Sequence, residues 1–130
     1  MKDRTIRVVA AVVERDGRYL ITKRRANAVL PGLWEFPGGK VEAGEDDASA
    51  LAREFRERLG AGIRVGELMS HVRHEYAAYA VELFLYACEI EEGEIACRAV
   101  ADMRWVASNE FDDYEFTPAD EQSVAKLIGE

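Results

Sequence analysis

The sequence predicts an α+β domain in which strands are layered with two separated helices, an α/β/α arrangement. Three observations carry this. Runs rich in β-branched residues alternate with turn signals along most of the chain. An amphipathic helical segment follows Asp46-Asp47 and stops at Gly60. A second helix opens at Pro118, far along the chain.

Taken in order, Thr5 to Glu14 reads as a strand. Asp16-Gly17 is a hairpin turn signal, and Arg18 to Arg24 is the returning strand. Ala26 to Gly32 reads as a loop, and Leu33 to Phe36 as a short apolar piece before Pro37-Gly38-Gly39. Asp46 or Asp47 is placed to cap a helix whose apolar positions are Ala48, Leu51, Ala52, Phe55 and Leu59. Gly60 and Gly62 are its stop signals. Ile63 to Arg73 and Tyr76 to Ile90 read as strands, Glu91 to Glu94 as an acidic turn, and Met103 to Val106 as a short strand. Pro118 to Ile128 closes the chain as a helix. No linker or internal repeat interrupts this order, so residues 1–130 are expected to form a single domain.

Composition narrows the function. The chain has 48% hydrophobic and 32% charged residues and a formal net charge of -8. An acidic chain is a poor partner for a nucleic-acid duplex, which selects basic surfaces. A small polyphosphate remains open, because a bound metal offsets its charge locally. No apolar run approaches the roughly 20 residues of a membrane span. Charges interrupt residues 1–17 too often for a signal peptide, so the expected location is the cytoplasm. Cys88 and Cys97 are expected as reduced thiols there. Monomer and homodimer are both compatible with the sequence.

The chemistry concentrates between Gly38 and Gly60. Glu54 and Glu57 are three residues apart and share a helical face. Glu45 lies just before the helix, and Arg53 is placed to orient a carboxylate. Mg²⁺ takes oxygen ligands, usually few from protein and the rest from water and phosphate. Gly38 and Gly39 let the backbone come close and offer a carbonyl. The plain alternative is a solvated acidic helix held by Glu–Arg pairs.

Gly39, Glu45, Arg53-Glu54, Phe55, Glu57 and Gly60 stand at the spacing of the Nudix box, which this segment resembles. The flanking Trp34-Glu35-Phe36-Pro37-Gly38-Gly39-Lys40 is similar to the MutT-type subgroup. So are Thr22 to Arg25, Trp105-Val106 and Phe116-Thr117-Pro118-Ala119-Asp120, which extends the resemblance over nearly the whole chain. The resemblance implies a Nudix α/β/α sandwich around a mixed sheet. It implies hydrolysis of a nucleoside diphosphate linked to another group with Mg²⁺ or Mn²⁺, and the MutT-type likeness narrows the expectation to a (deoxy)nucleoside triphosphate cleaved to the monophosphate and pyrophosphate. It implies metal binding at Gly39, Glu54 and Glu57, catalytic roles for Glu54, Glu57 and Arg53, and support from Gly38, Glu45 and Gly60. Substrate would meet Arg24, Phe36 and Asp120.

Two positions depart from the family pattern. Arg58 stands where the box has a metal-binding glutamate, and a guanidinium does not ligate Mg²⁺. Ala99, six residues before Trp105, stands where related proteins have another. Glu94 and Asp102 are the nearby carboxylates that stand as substitutes. Three readings stay open: an active enzyme with a reduced metal site, a specialised enzyme whose Arg58 grips phosphate, and a nucleotide binder without turnover. At its plainest, Arg58 pairs with Glu54 one turn away, worth about 0.3–0.5 kcal/mol.

Asp120 bears on the base. An ionised Asp only accepts hydrogen bonds, which suits a base edge presenting donors. The Pro-Ala-Asp form is similar to the CTP and 5-methyl-dCTP pyrophosphohydrolase branch, and 8-oxo-dGTP is the other candidate. The simple alternatives are core packing for Phe36 and a helix-dipole role for Asp120. His71 and His74, flanking Arg73, could form a metal pair or be ordinary strand-end residues, and Arg73 and Tyr76 could line the base pocket.

Overall fold

The computed structural model describes residues 4–127. The chain opens with β1 (Thr5–Val12), then β2 (Glu14–Arg15) and β3 (Arg18–Lys23). The β2–β3 turn is Asp16-Gly17, both with positive φ, the two-residue geometry that matches strand twist. Next come β4 (Trp34–Glu35), β5 (Gly38–Lys40) and α1 (Asp47–Leu59). The hairpin β6 (Gly62–Glu75) and β7 (Ala80–Glu92) follows. The chain ends with β8 (Asp102–Ala107), a 3₁₀ turn at Ser108–Asp113 and α2 (Pro118–Leu127).

One sheet runs β5-β1-β7-β6, with β1 and β7 parallel and the outer pairs antiparallel. A second sheet centres on β3, which pairs with β2, β4 and β8. Residues of β1 alternate between two cores. Val9 and Ala11 pack with Ala50, Leu51, Phe55 and Leu59 of α1, while Ala10 and Val12 pack with Ala119 and Val124 of α2. Strand β7 alternates in the same way, Phe84 and Cys88 toward one core and Leu83 and Leu85 toward the other. A strand apolar on both faces is one covered on both faces, so the expected α/β/α sandwich around a mixed sheet is present.

Several expectations need correction. The first strand breaks at Val13, between β1 and β2. Strand β5 is not legible in the sequence, because Gly-Gly-Lys has no strand propensity of its own. Its pairing with Val8 to Ala10 of β1 makes it a strand. Gly60 alone stops α1, at φ 78° with its N–H donating to the Arg56 carbonyl at 2.8 Å, whereas Gly62 begins β6. Ala48 is exposed, and Ala50 takes the buried position on α1. Tyr76 lies in the β6–β7 turn, and Glu91 and Glu92 still belong to β7, so that turn falls at Gly93. Ile128 lies outside the described residues.

Candidate active site

Helix α1 starts at Asp46, whose carboxylate accepts the Ser49 N–H at 2.8 Å. Asp47 instead holds Arg7 through two hydrogen bonds of 2.8 and 2.7 Å. One turn and a half later, Arg53 organises the loop. Its Nε and Nη2 grip both Glu45 oxygens at 2.6 and 2.9 Å, and Nη2 also reaches the Lys40 carbonyl at 3.1 Å. Its Nη1 reaches Glu57 at 3.2 Å and Glu54 at 3.3 Å. Glu45 is thereby held well below the usual carboxylate range, at about 2, chiefly by Arg53 and next by the Glu42 N–H. The same carboxylates push the Arg53 guanidinium upward. Arg53 therefore ties the loop, β5 and the helix carboxylates into one unit.

Glu54 and Glu57 share Arg53, but their surroundings differ. Glu57 is half exposed, while Glu54 is buried against β5. A Cβ on Gly39 would lie 2.2 Å from the Glu54 carboxyl carbon, so only glycine admits that carboxylate here. On its other side Glu54 accepts Arg58 Nε at 2.8 Å. Arg58 then faces Glu35 at 3.7 Å, and Glu35 accepts Arg24 Nη1 at 3.0 Å. Arg24 is itself anchored by Nε on the Val29 carbonyl at 2.5 Å. Burial raises the Glu35 pKa, with the two arginines opposing that rise. The sequence reading gave Glu35 no role. Its pairing opposite Thr22 of β3, which only the folded sheet sets, is what turns it toward Arg24.

Two cavities meet at this network. One, of about 340 Å³, is lined by Arg24, Arg25, Glu42, Arg53, Glu54, Glu57, Arg58 and Ala99, among others. Ala99 thus faces the helix carboxylates, held there by its N–H on the Arg58 carbonyl at 3.1 Å. Neither Glu94 nor Asp102 lines this cavity. Asp102 instead accepts Arg104 Nη1 at 2.5 Å, so neither residue stands in this cavity in place of the carboxylates absent at 58 and 99. The second cavity, of about 390 Å³, is mostly apolar, with Phe36, Leu83, Tyr76 and Asp120 in its walls.

Asp120 reaches that wall because α2 is clamped to β4. The Trp34 N–H donates to the Glu115 carbonyl at 2.8 Å, and the Thr117 N–H donates to the Trp34 carbonyl at 3.0 Å. Asp120 then accepts the Phe36 N–H at 3.0 Å and the Thr117 hydroxyl at 2.5 Å. Burial, reinforced by the Glu35 charge, pushes its carboxyl up to about 7. Phe36 lines the cavity and also packs on Phe111 and Phe116. Tyr76 lines the cavity and Arg73 does not.

His71 and His74 do not form a pair. They lie three apart on β6, on opposite faces. His71 stacks on Phe84 at 4.1 Å, and His74 bonds Gln122 at 2.9 Å. Cys88 is buried, and burial lifts its thiol to about 11, whereas Cys97 is exposed. Among the described residues, no three or more His, Cys, Asp or Glu side chains cluster as a metal site. The oxygen donors that are present, Glu54, Glu57 and the backbone beside Gly39, still suit one hard cation whose remaining ligands come from water and phosphate. Also among the described residues, no helix is long and apolar enough to cross a membrane.

A mixed sheet between two helices, with a glutamate-bearing helix facing a glycine strand, defines the class as an α/β/α sandwich with a polar cleft. The NUDIX domain model matches residues 8–126, and the chain belongs to that family of hydrolases. The chain is 37% identical over 115 residues to a CTP pyrophosphohydrolase from Escherichia coli, spanning 88% of this chain and 85% of that one. It is 30% identical over 131 residues to an 8-oxo-dGTP diphosphatase from Haemophilus influenzae, spanning 100% and 96%. Among solved structures, the MutT Nudix hydrolase from Burkholderia pseudomallei superposes with a TM-score of 0.84 at 27% identity, covering 96% of this chain and 99% of that one.

Proposed function

We propose that this enzyme hydrolyses a nucleoside triphosphate to the monophosphate and pyrophosphate, with a cytosine nucleotide, CTP or 5-methyl-dCTP, as its substrate. The observation that carries the reading is the Asp120 carboxyl in the wall of an apolar cavity that shares Arg24 and Arg58 with the cavity lined by Glu54 and Glu57. The apolar cavity takes the base and the polar one takes the phosphates. Burial, reinforced by the Glu35 charge, raises the Asp120 carboxyl and so favours its protonated form. The protonated form offers an O–H to cytosine N3 while its other oxygen accepts from the exocyclic amine. The relative named CTP pyrophosphohydrolase supports the same base.

In this reading Glu54 accepts a proton from the water that attacks phosphorus. The bond to the pyrophosphate oxygen breaks, and pyrophosphate leaves with that electron pair. Arg53 and the Gly39 cradle hold Glu54 in place, so that little reorganisation accompanies the step. Glu54, Glu57 and the Gly39 carbonyl would hold Mg²⁺, with Mn²⁺ as a substitute. The metal supplies charge neutralisation for the phosphates and a lowered pKa for bound water. A nucleotide substrate and unpaired thiols fit a cytoplasmic setting.

An 8-oxo-dGTP substrate is the second reading. It is favoured by the full-length likeness to a diphosphatase of that name. Ionised Asp120 would accept from both N1–H and the amine of an oxidised guanine. The test is pyrophosphate release with Mg²⁺ and with Mn²⁺ across CTP, dCTP, 5-methyl-dCTP, dGTP and 8-oxo-dGTP. Metal-dependent turnover with a cytosine preference is the expected result. A preference for 8-oxo-dGTP moves the assignment to the second reading, and nucleotide binding without turnover removes the enzymatic step.

A further inference from the structure

We infer that Arg58 is a phosphate-gripping residue that does part of the work of a metal ion, rather than a defect in a metal site. The inference rests on the nucleotide reading above. Its first support is position. Arg58 and Arg24 are the two residues that line both cavities. A nucleotide with its base against Asp120 and its terminal phosphates near Glu57 has to pass between them. The second support is free donors. Among the described residues, the Arg58 side chain hydrogen-bonds only through Nε, to Glu54, while Nη1 ion-pairs with Glu35 at the longer distance of 3.7 Å. The terminal nitrogens keep the planar fork that binds phosphate in bidentate fashion.

Charge is the third support. The polar cavity is lined by four arginines and three glutamates, in a chain whose net charge is -8. With glutamates at positions 58 and 99 the same lining would hold three arginines and five glutamates. The two departures therefore turn a wall that gathers cations into one that gathers anions. They do so together, because Ala99 lines the same cavity and leaves it without a carboxylate at that position. Glu35 braces the arrangement, holding Arg24 at 3.0 Å and facing Arg58 from the same carboxylate. Both guanidiniums thus face the one Glu35 carboxylate, and Arg58 meets Glu54 through Nε alone.

The assignment predicts metal-independent affinity for a triphosphate, which a site built only from carboxylates would repel. The experiment is calorimetry on the full chain in excess chelator, with the non-hydrolysable α,β-methylene-CTP and, separately, cytidine. Wild type, Arg58→Gln and Arg58→Lys are compared, with melting curves confirming that each is folded. A parallel titration follows Mn²⁺ by electron paramagnetic resonance without nucleotide. The expected result is triphosphate binding in chelator that Arg58→Gln weakens about tenfold or more, with cytidine binding unchanged and Mn²⁺ binding tightened as Glu54 is released. Arg58→Lys falls between. Equal binding by wild type and Arg58→Gln overturns the inference and leaves the nucleotide reading intact, as does wild-type binding that needs metal throughout. A wild-type protein that binds no nucleotide even with Mg²⁺ overturns both.

Discussion

The two cavities that meet at Arg24 and Arg58 are of similar size but are built in opposite ways. The polar one takes its chemistry mainly from residues 42–58, a loop and a helix in direct succession. Its carboxylates and guanidiniums meet through i,i+1 and i,i+4 pairs and one short loop closure onto Glu45. The apolar one draws its walls from β1, β4, β5, the β6–β7 hairpin and α2. No two of its key residues are neighbours in space because of local spacing, apart from Thr117 and Asp120. In the proposed reading, the difference separates reaction chemistry, which local geometry can hold, from base selection, which needs the assembled fold.

The largest expected effect tests the polar cavity. Glu54→Gln keeps the shape and removes the charge, so turnover is expected to fall about 100-fold or more, with cytidine affinity unchanged. A loss of cytidine affinity of similar size would mean that the two cavities are not separable. Gly39→Ala comes next. The added methyl would collide with the Glu54 carboxylate, the far end of a side chain, so the carboxylate is expected to move at little cost in stability. The expected outcome is a kcat loss larger than the change in melting temperature explains, and an unchanged kcat would show that Glu54 tolerates displacement.

Asp120→Asn probes the other cavity and carries a pH signature. The folded carboxyl sits at about 7, above its ordinary value of 3.8. The folded state therefore binds more protons than the unfolded state between those values, and stability falls as pH rises through that window. The contribution is fully present below about 3.8 and is lost above about 7. Asp120→Asn is expected to flatten the melting temperature between pH 5 and pH 8 and to change the base preference, without removing turnover. A wild-type profile that rises with pH over that range, net of other groups, would contradict the buried acid. Glu45 works in the other direction. Its carboxyl is depressed to about 2, so its contribution is complete above 4.5 and is lost as pH falls toward 2. The smallest effect belongs to Asp46→Ala, which removes the α1 cap and costs about 1 kcal/mol. Urea melts should show that loss with base preference unaltered.

Legibility in the sequence follows the same division. Helix α1, its cap, its stop at Gly60 and the Asp16-Gly17 hairpin could all be read, because each depends on residues within one or two turns of chain. Glu45, Arg53, Glu54 and Glu57 could be read as one cluster for the same reason. Strand β5 could not, since its ladder partner on β1 lies thirty residues earlier. Glu35 stood unremarked beside Phe36, because nothing local shows that it joins Arg24 to Arg58. The histidines of β6 looked like a pair in one dimension and sit on opposite faces in three.

What the sequence determined alone was the layered fold class and the charged helix face, since periodicity and i,i+4 spacing act at short range. Tertiary structure decided three things. It brought Ala99 against the carboxylates by a backbone bond to Arg58. It buried Asp120 beside the Phe36 N–H by clamping α2 to β4. It set Arg58 between the two cavities. The physical reason is that desolvation and charge balance are properties of all the groups gathered around a point. A chain brings those groups together only once its strands and helices have packed.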